Sequence, residues 1–123
     1  MSNEKFNTIK PAKDIASEIK DMVQTYTDVM AFPDRKKLRE IDSKDIKDYV
    51  LPKQDEINGI LKATLNLIKD KDEKEKVQKC IELNETIKDH LNQLVKDDFD
   101  MEQINSEVKG LWSMIYRLVR FYE

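Results

Sequence analysis

The C-terminal stretch of this chain constrains its fold more than any other segment. At roughly 100° per residue, a helix from Ile104 to Tyr122 puts Ile104, Val108, Leu111, Ile115, Leu118, Val119 and Tyr122 on one stripe. Trp112 and Tyr116 widen that stripe on one flank. Met114 and Phe121 widen it on the other. The apolar arc then covers roughly 220°, about twice what a one-sided surface helix needs. Such a helix must be covered on more than one side, by its own fold or by a second chain.

The rest of the chain is suited to supply the cover. It has 123 residues, the length of one ordinary domain, here residues 1–123. Hydrophobic residues make up 39 % and charged residues 38 %, with two Gly and three Pro, so helices with solvated outer faces are expected. One cysteine, Cys80, allows no internal disulfide, and a reducing, cytoplasmic location is the simplest expectation. The N-terminus has no apolar run behind a basic start, and no eighteen consecutive apolar residues occur, so neither a signal peptide nor a membrane span is expected. The excess of Lys, Asp, Asn and Ile over Ala and Arg suggests an AT-rich genome, such as that of a low-GC bacterium or its phage.

Periodicity and start signals predict four helices. The first is expected from Pro11 to Met30, behind a flexible segment over residues 1–10. It presents Ile15, Ile19, Met22, Val23, Tyr26, Val29 and Met30 on one face. A charged link follows, with a short helical turn around Leu38. The second helix is expected to be capped by Asp42, with Asp45 at the third position and an Ile41–Ile46 staple. Its stripe of Ile46, Val50, Ile57, Ile60, Leu61, Thr64, Leu67 and Ile68 keeps phase across Pro52, which predicts one kinked helix. The third helix, with an Asp72/Glu75 box, presents Val77, Cys80, Leu83, Ile87, Leu91, Leu94 and Val95. The fourth, with an Asp100/Gln103 box and a Phe99–Ile104 staple, carries the wide apolar arc. Short links favour antiparallel neighbours, and the predicted fold is a single all-α, up-down four-helix bundle.

No constellation points to catalysis. Bundle di-metal sites need Glu-x-x-His pairs facing inward. The only histidine, His90, has Ile87 three residues before it, and reads as a boundary histidine. One cysteine cannot build a thiolate zinc site, and Cys80 falls on a core face. Glu82-x-x-Glu85 resembles the Glu-x-x-Glu element of helical nucleotide pyrophosphohydrolases, which implies Mg²⁺. The further acids Asp97 and Asp100, however, fall in a turn, and a solvated face is the expected reading. No metal, no cofactor and no enzymatic activity are expected.

Two features remain. Trp112, Tyr116, Arg117, Arg120, Phe121 and Tyr122 combine the residue types that most often anchor protein interfaces. They are the expected contact with a protein partner or a second copy. Arg35, Lys36, Lys37 and Arg39 form a basic run, and Lys109 joins Arg117 and Arg120 in a second strip. Together these strips could contact nucleic acid, although a net charge of −3 gives no bulk attraction. Asn84, inside the third apolar face, needs a partner there, and such a residue often fixes register, or it lies where that face opens to solvent. The expected role is a non-enzymatic regulator, inhibitor or accessory subunit that binds another protein. The alternative is a nucleic-acid-contacting subunit of a larger complex.

Overall fold

The computed structural model describes residues 3–35 and 37–123. Among them there is no strand. The elements are α1 (Glu4–Met30), a short α2 (Glu40–Asp45), a π turn (Ile46–Val50), α3 (Leu51–Asn66), α4 (Lys71–Lys96) and α5 (Met101–Tyr122). The four long helices form an all-α bundle in which α1 packs on α3 and α5, and α4 on α3 and α5. Cross-helix partners run in opposite directions along the chain. Asn3, Lys13 and Lys20 meet Tyr122, Tyr116 and Trp112, and Lys76, Leu83 and His90 meet Phe121, Gly110 and Glu107. Neighbours are therefore antiparallel, as short links require.

The first helix starts earlier than Pro11. Asn3 caps it by accepting from the Phe6 N–H at 3.3 Å, and residues 4–10 are helix, not a flexible segment. The cause is apolar burial: Ile9 and Ala12 are fully enclosed. Pro11 lies inside the helix on its exposed side, where the missing N–H costs one bond to the Asn7 carbonyl. The inward face is also turned from the expected one. Ile9, Ala12, Ala16, Ile19 and Val23 are buried, while Ile15, Met22, Tyr26 and Met30 pack partly exposed around them.

The start of the second hairpin differs too. Arg39, not Asp42, is the cap residue of α2, and Asp42 serves from the third position by accepting from the Arg39 N–H at 3.4 Å. Ile41 is 73 % exposed, so the expected staple with the buried Ile46 does not form. The irregularity at Pro52 takes the form of a π turn. The Leu51 N–H reaches back five residues to the Ile46 carbonyl, immediately before the proline. Pro52 has no N–H and its ring crowds the carbonyl four residues earlier, so a widened turn ahead of it relieves the conflict. The apolar phase survives, with Val50 and Ile57 both fully buried.

The remaining caps follow the sequence within two residues. Asp70, not Asp72, caps α4 by accepting from the Glu73 N–H at 3.0 Å. Asp100 caps α5 by accepting from the Glu102 N–H at 3.0 Å. Phe99, just ahead of that cap, packs on the core and stacks on His90 with ring centroids 4.3 Å apart.

The α3–α4 seam is polar. Asn84 is fully buried and donates to the Gln54 backbone carbonyl at 2.9 Å. Asn58 donates to Glu85 at 3.1 Å, and Lys88 pairs with Asp55. Gln54 is itself fully buried, and neither end of its side-chain amide meets a protein partner. A buried unpaired amide costs about 1–3 kcal/mol. Gln54→Met, which keeps length and removes the amide, is therefore expected to raise unfolding free energy by about 1 kcal/mol or more, read from urea melts. Gly59 lies in the exposed middle of α3, and a Cβ there would meet nothing within 4 Å. Gly59→Ala should add about 0.5–1 kcal/mol on the same assay, through backbone entropy alone.

Candidate functional site

The structure divides the expected partner-binding residues of α5 among three places. The core stripe is enclosed as expected: Ile104, Val108, Leu111, Ile115, Leu118 and Val119 are all buried. Tyr122 joins them and is withdrawn from the surface set. It is 9 % exposed, and its hydroxyl has no partner. The Lys5 ammonium lies 5.5 Å from its ring centroid, and the Asn3 side chain donates to its carbonyl at 2.7 Å.

The second group faces α1. Lys109, Trp112, Tyr116 and Arg120 follow one another at helical spacing along the edge of the core stripe. Trp112 and Tyr116 are stacked, with centroids 5.4 Å apart and planes 22° from parallel. Tyr116 stands 36 % exposed and Trp112 is half-buried. Two lysines of α1 lie over this pair. Lys20 is 4.8 Å from the Trp112 centroid, and Lys13 is 5.7 Å from that of Tyr116. At such distances the ring quadrupole attracts the ammonium groups and orders them without neutralising them. Arg120 reaches the Tyr116 hydroxyl at 3.5 Å and Glu123 at 3.6 Å. Lys20 has Asp21 at 3.8 Å, while Lys13 and Lys109 carry no ion pair among the described residues. Sequence reasoning found the α5 half of this face and missed Lys13 and Lys20. Their seven-residue spacing, two turns apart on one edge of α1, was the available signal.

The third group faces α4. Arg117 and the 64 % exposed Phe121 lie on the far side of α5 from Tyr116. Lys76 of α4 approaches the Phe121 ring at 5.6 Å. Arg117, Lys76 and Lys79 stand around a groove whose other lining residues are Cys80, Met114 and Leu118.

The basic strips do not come together. Arg35 turns inward and pairs with the buried Asp42, tying the link to the start of α2. Lys37 and Arg39 are exposed, and Lys36 lies outside the described residues. This link leaves the end of α1 where α5 begins, because Thr27 and Met30 line one cleft with Phe99 and Met101. Arg117 is sixteen residues further along α5, roughly 25 Å at 1.5 Å per residue.

The other candidate residues have structural partners. His90 Nδ1 is 2.7 Å from Glu107, and the ring lies on Phe99. Glu85 accepts from Asn58, and Glu82 is exposed. No group of three His, Cys, Asp or Glu among the described residues is placed to hold a metal ion. No helix among them is long and apolar enough to cross a membrane. No family model, curated protein or solved structure gives a significant match to this chain.

Two buried acids are displaced upward. Burial pushes the Cys80 thiol from 9.0 to about 12. Burial, with Glu73 and Asp70 adding to it, pushes the Tyr122 hydroxyl from 10.0 to about 12. The folded state thus holds these protons more tightly than the unfolded chain. The resulting stability is full below the unfolded values and is lost as pH rises through the folded ones. Unfolding free energy should therefore fall between about pH 9 and pH 12, by at most about 1.4 kcal/mol per pH unit for each group. Tyr122→Phe should flatten the upper part of that decline in urea melts run across the range. Because the hydroxyl is unpartnered, the same change should leave neutral-pH stability intact or improved.

Proposed function

We propose that the protein is a non-enzymatic binding module, a regulator, inhibitor or accessory subunit, that docks a protein partner's acidic surface on its α1–α5 face. The observation that carries this reading is the stacked Trp112–Tyr116 pair at the bundle surface, with Lys13 and Lys20 held over its rings. Aromatic and arginine side chains anchor most interface energy. Here they stand on α5 beside the lysines of α1, so their backbone is already ordered before binding. Of the cations Lys13, Lys20, Lys109 and Arg120, only Lys20 and Arg120 have an ion pair among the described residues, with Asp21 and Glu123. An acidic partner surface would complete the charge pattern and speed encounter.

Interleaved rings and cations also suit single-stranded nucleic acid, the second reading. Against it stand the distance between the two basic strips, the engagement of Arg35 by Asp42, and the net charge of −3.

A photo-crosslinking residue at Ser113, between the two rings in sequence, should capture a specific acidic protein in host cells. The same residue at Gly59, on the exposed side of α3, should not. Tyr116→Ala with Arg120→Ala should weaken that association by about 2 kcal/mol or more, while the lost ring stack costs folding only about 0.5–1.5 kcal/mol. Leu111→Ala or Ile115→Ala should instead cost about 2–5 kcal/mol of stability. Equal capture from both positions, or flank variants that lose stability and no partner, would overturn the reading.

A further inference from the structure

The α4–α5 groove lies on the opposite side of α5 from the face just described, and it has a different chemistry. It is open to solvent and offers about 300 Å³, the lower end of the range for small-ligand sites. Its floor is Cys80, Met114 and Leu118, of which Cys80 and Leu118 are buried. Its rim carries Lys76, Lys79 and Arg117, and no carboxylate lines it. None of these three cations has an ion pair among the described residues. Lys76 and Lys79 are one helical turn apart on α4, so their heads stand on the same side, facing Arg117 across the groove.

Such a site selects an apolar body with an anionic head. The head follows from three unpaired cations around an acid-free rim. An arginine fork opposite two ammonium groups suits a carboxylate, which accepts two parallel hydrogen bonds from the guanidinium. The body follows from the floor. The Cys80 thiol stays protonated and uncharged there. The Met114 thioether adapts its shape to what lies on it. Both walls are helices, whose backbone N–H and C=O groups are already bonded within the helix. A peptide backbone laid in the groove would find no main-chain partner, whereas an alkyl chain requires none. The small volume limits that chain to medium length.

We propose that the α4–α5 groove is a binding site for a medium-chain fatty acid, with its carboxylate held by Arg117, Lys76 and Lys79 and its chain on Met114, Leu118 and Cys80. The site is independent of the α1–α5 face, and neither requires the other.

The test uses the full chain with ¹³C-labelled methionine methyl groups, titrated with decanoate below its micelle concentration. The Met114 methyl resonance should shift and saturate. Those of Met22 and Met30, on α1, should stay in place. Decanol should produce the same shift only at tenfold higher concentration or more, because it lacks the charge. Lys79→Glu with Arg117→Glu should weaken decanoate binding at least tenfold and leave the helical circular-dichroism spectrum unchanged. Gly110→Ala, whose added Cβ would meet only the Leu83 side chain at 3.9 Å, should bind like the parent. The proposal is overturned by a Met114 signal that does not move up to the solubility limit. It is also overturned if all methionines move at one midpoint, if decanol binds as well as decanoate, or if the double charge reversal has no effect. Decyl phosphate binding tenfold more tightly than decanoate would reassign the head group to a phosphate and overturn the fatty-acid assignment.

Discussion

The seating of α5 against α1 is the contact on which the rest of the bundle depends. An apolar arc of roughly 220° cannot be covered by one neighbour. The first helix solves half of that problem with small side chains. Ala12 and Ala16 are buried between Ile9, Ile19 and Val23, so the α1 backbone can come close to α5. Trp112 and Tyr116, on the flank of the α5 stripe, stand at the rim of this contact, where the α1 lysines meet them.

The other half of the bundle is held in register by polar groups. Apolar stripes alone allow two helices to slide by a turn at modest cost. Asn84 on the Gln54 carbonyl, Asn58 on Glu85 and Lys88 on Asp55 each fit only one alignment of α3 and α4. The unpaired Gln54 amide shows that this alignment carries a stability cost. At the α1–α5 seam, Asn105 donates to Gln24 at 3.1 Å and marks register in the same way. Polar residues inside a helical core can fix one alignment among several that would bury equal apolar area.

Much of this was legible in the residues, and the failures have physical causes. The wide arc of α5, the continuous phase across Pro52 and the place of Asn84 on the α4 apolar face follow from spacing, since a helix converts spacing directly into direction, while the burial of Asn84 depends on the neighbour that covers it. The start of α1 was misjudged because Pro11 is a good first-turn residue. Ile9 and Ala12 nonetheless bury enough surface to carry the helix past it. The cap of α2 was misplaced because Asp42 can act as a cap or as the third residue of a box. The Arg39 N–H on the Asp42 carboxylate, which Arg35 of the link also pairs with, fixes the second role. The candidate site was half legible. One helix wheel ranks residues around a single axis and cannot say which neighbour lies on which side. It set Tyr116 and Phe121 on opposite flanks, but residue type pooled them with Arg117 as one contact, where the bundle assigns them to opposite grooves, and Lys13 and Lys20 were left out.

The Asn3 side chain bound to the Tyr122 carbonyl sets the start of α1 beside the last turn of α5. Tension applied at those two points would peel α1 from α5 like a zipper, breaking one layer at a time, rather than shearing all layers at once. The seam that opens first is the one over which Trp112, Tyr116, Lys13 and Lys20 are gathered. Anything bridging that seam would act as a mechanical clasp on the whole bundle, and anything seated between α4 and α5 would leave the zipper free to run.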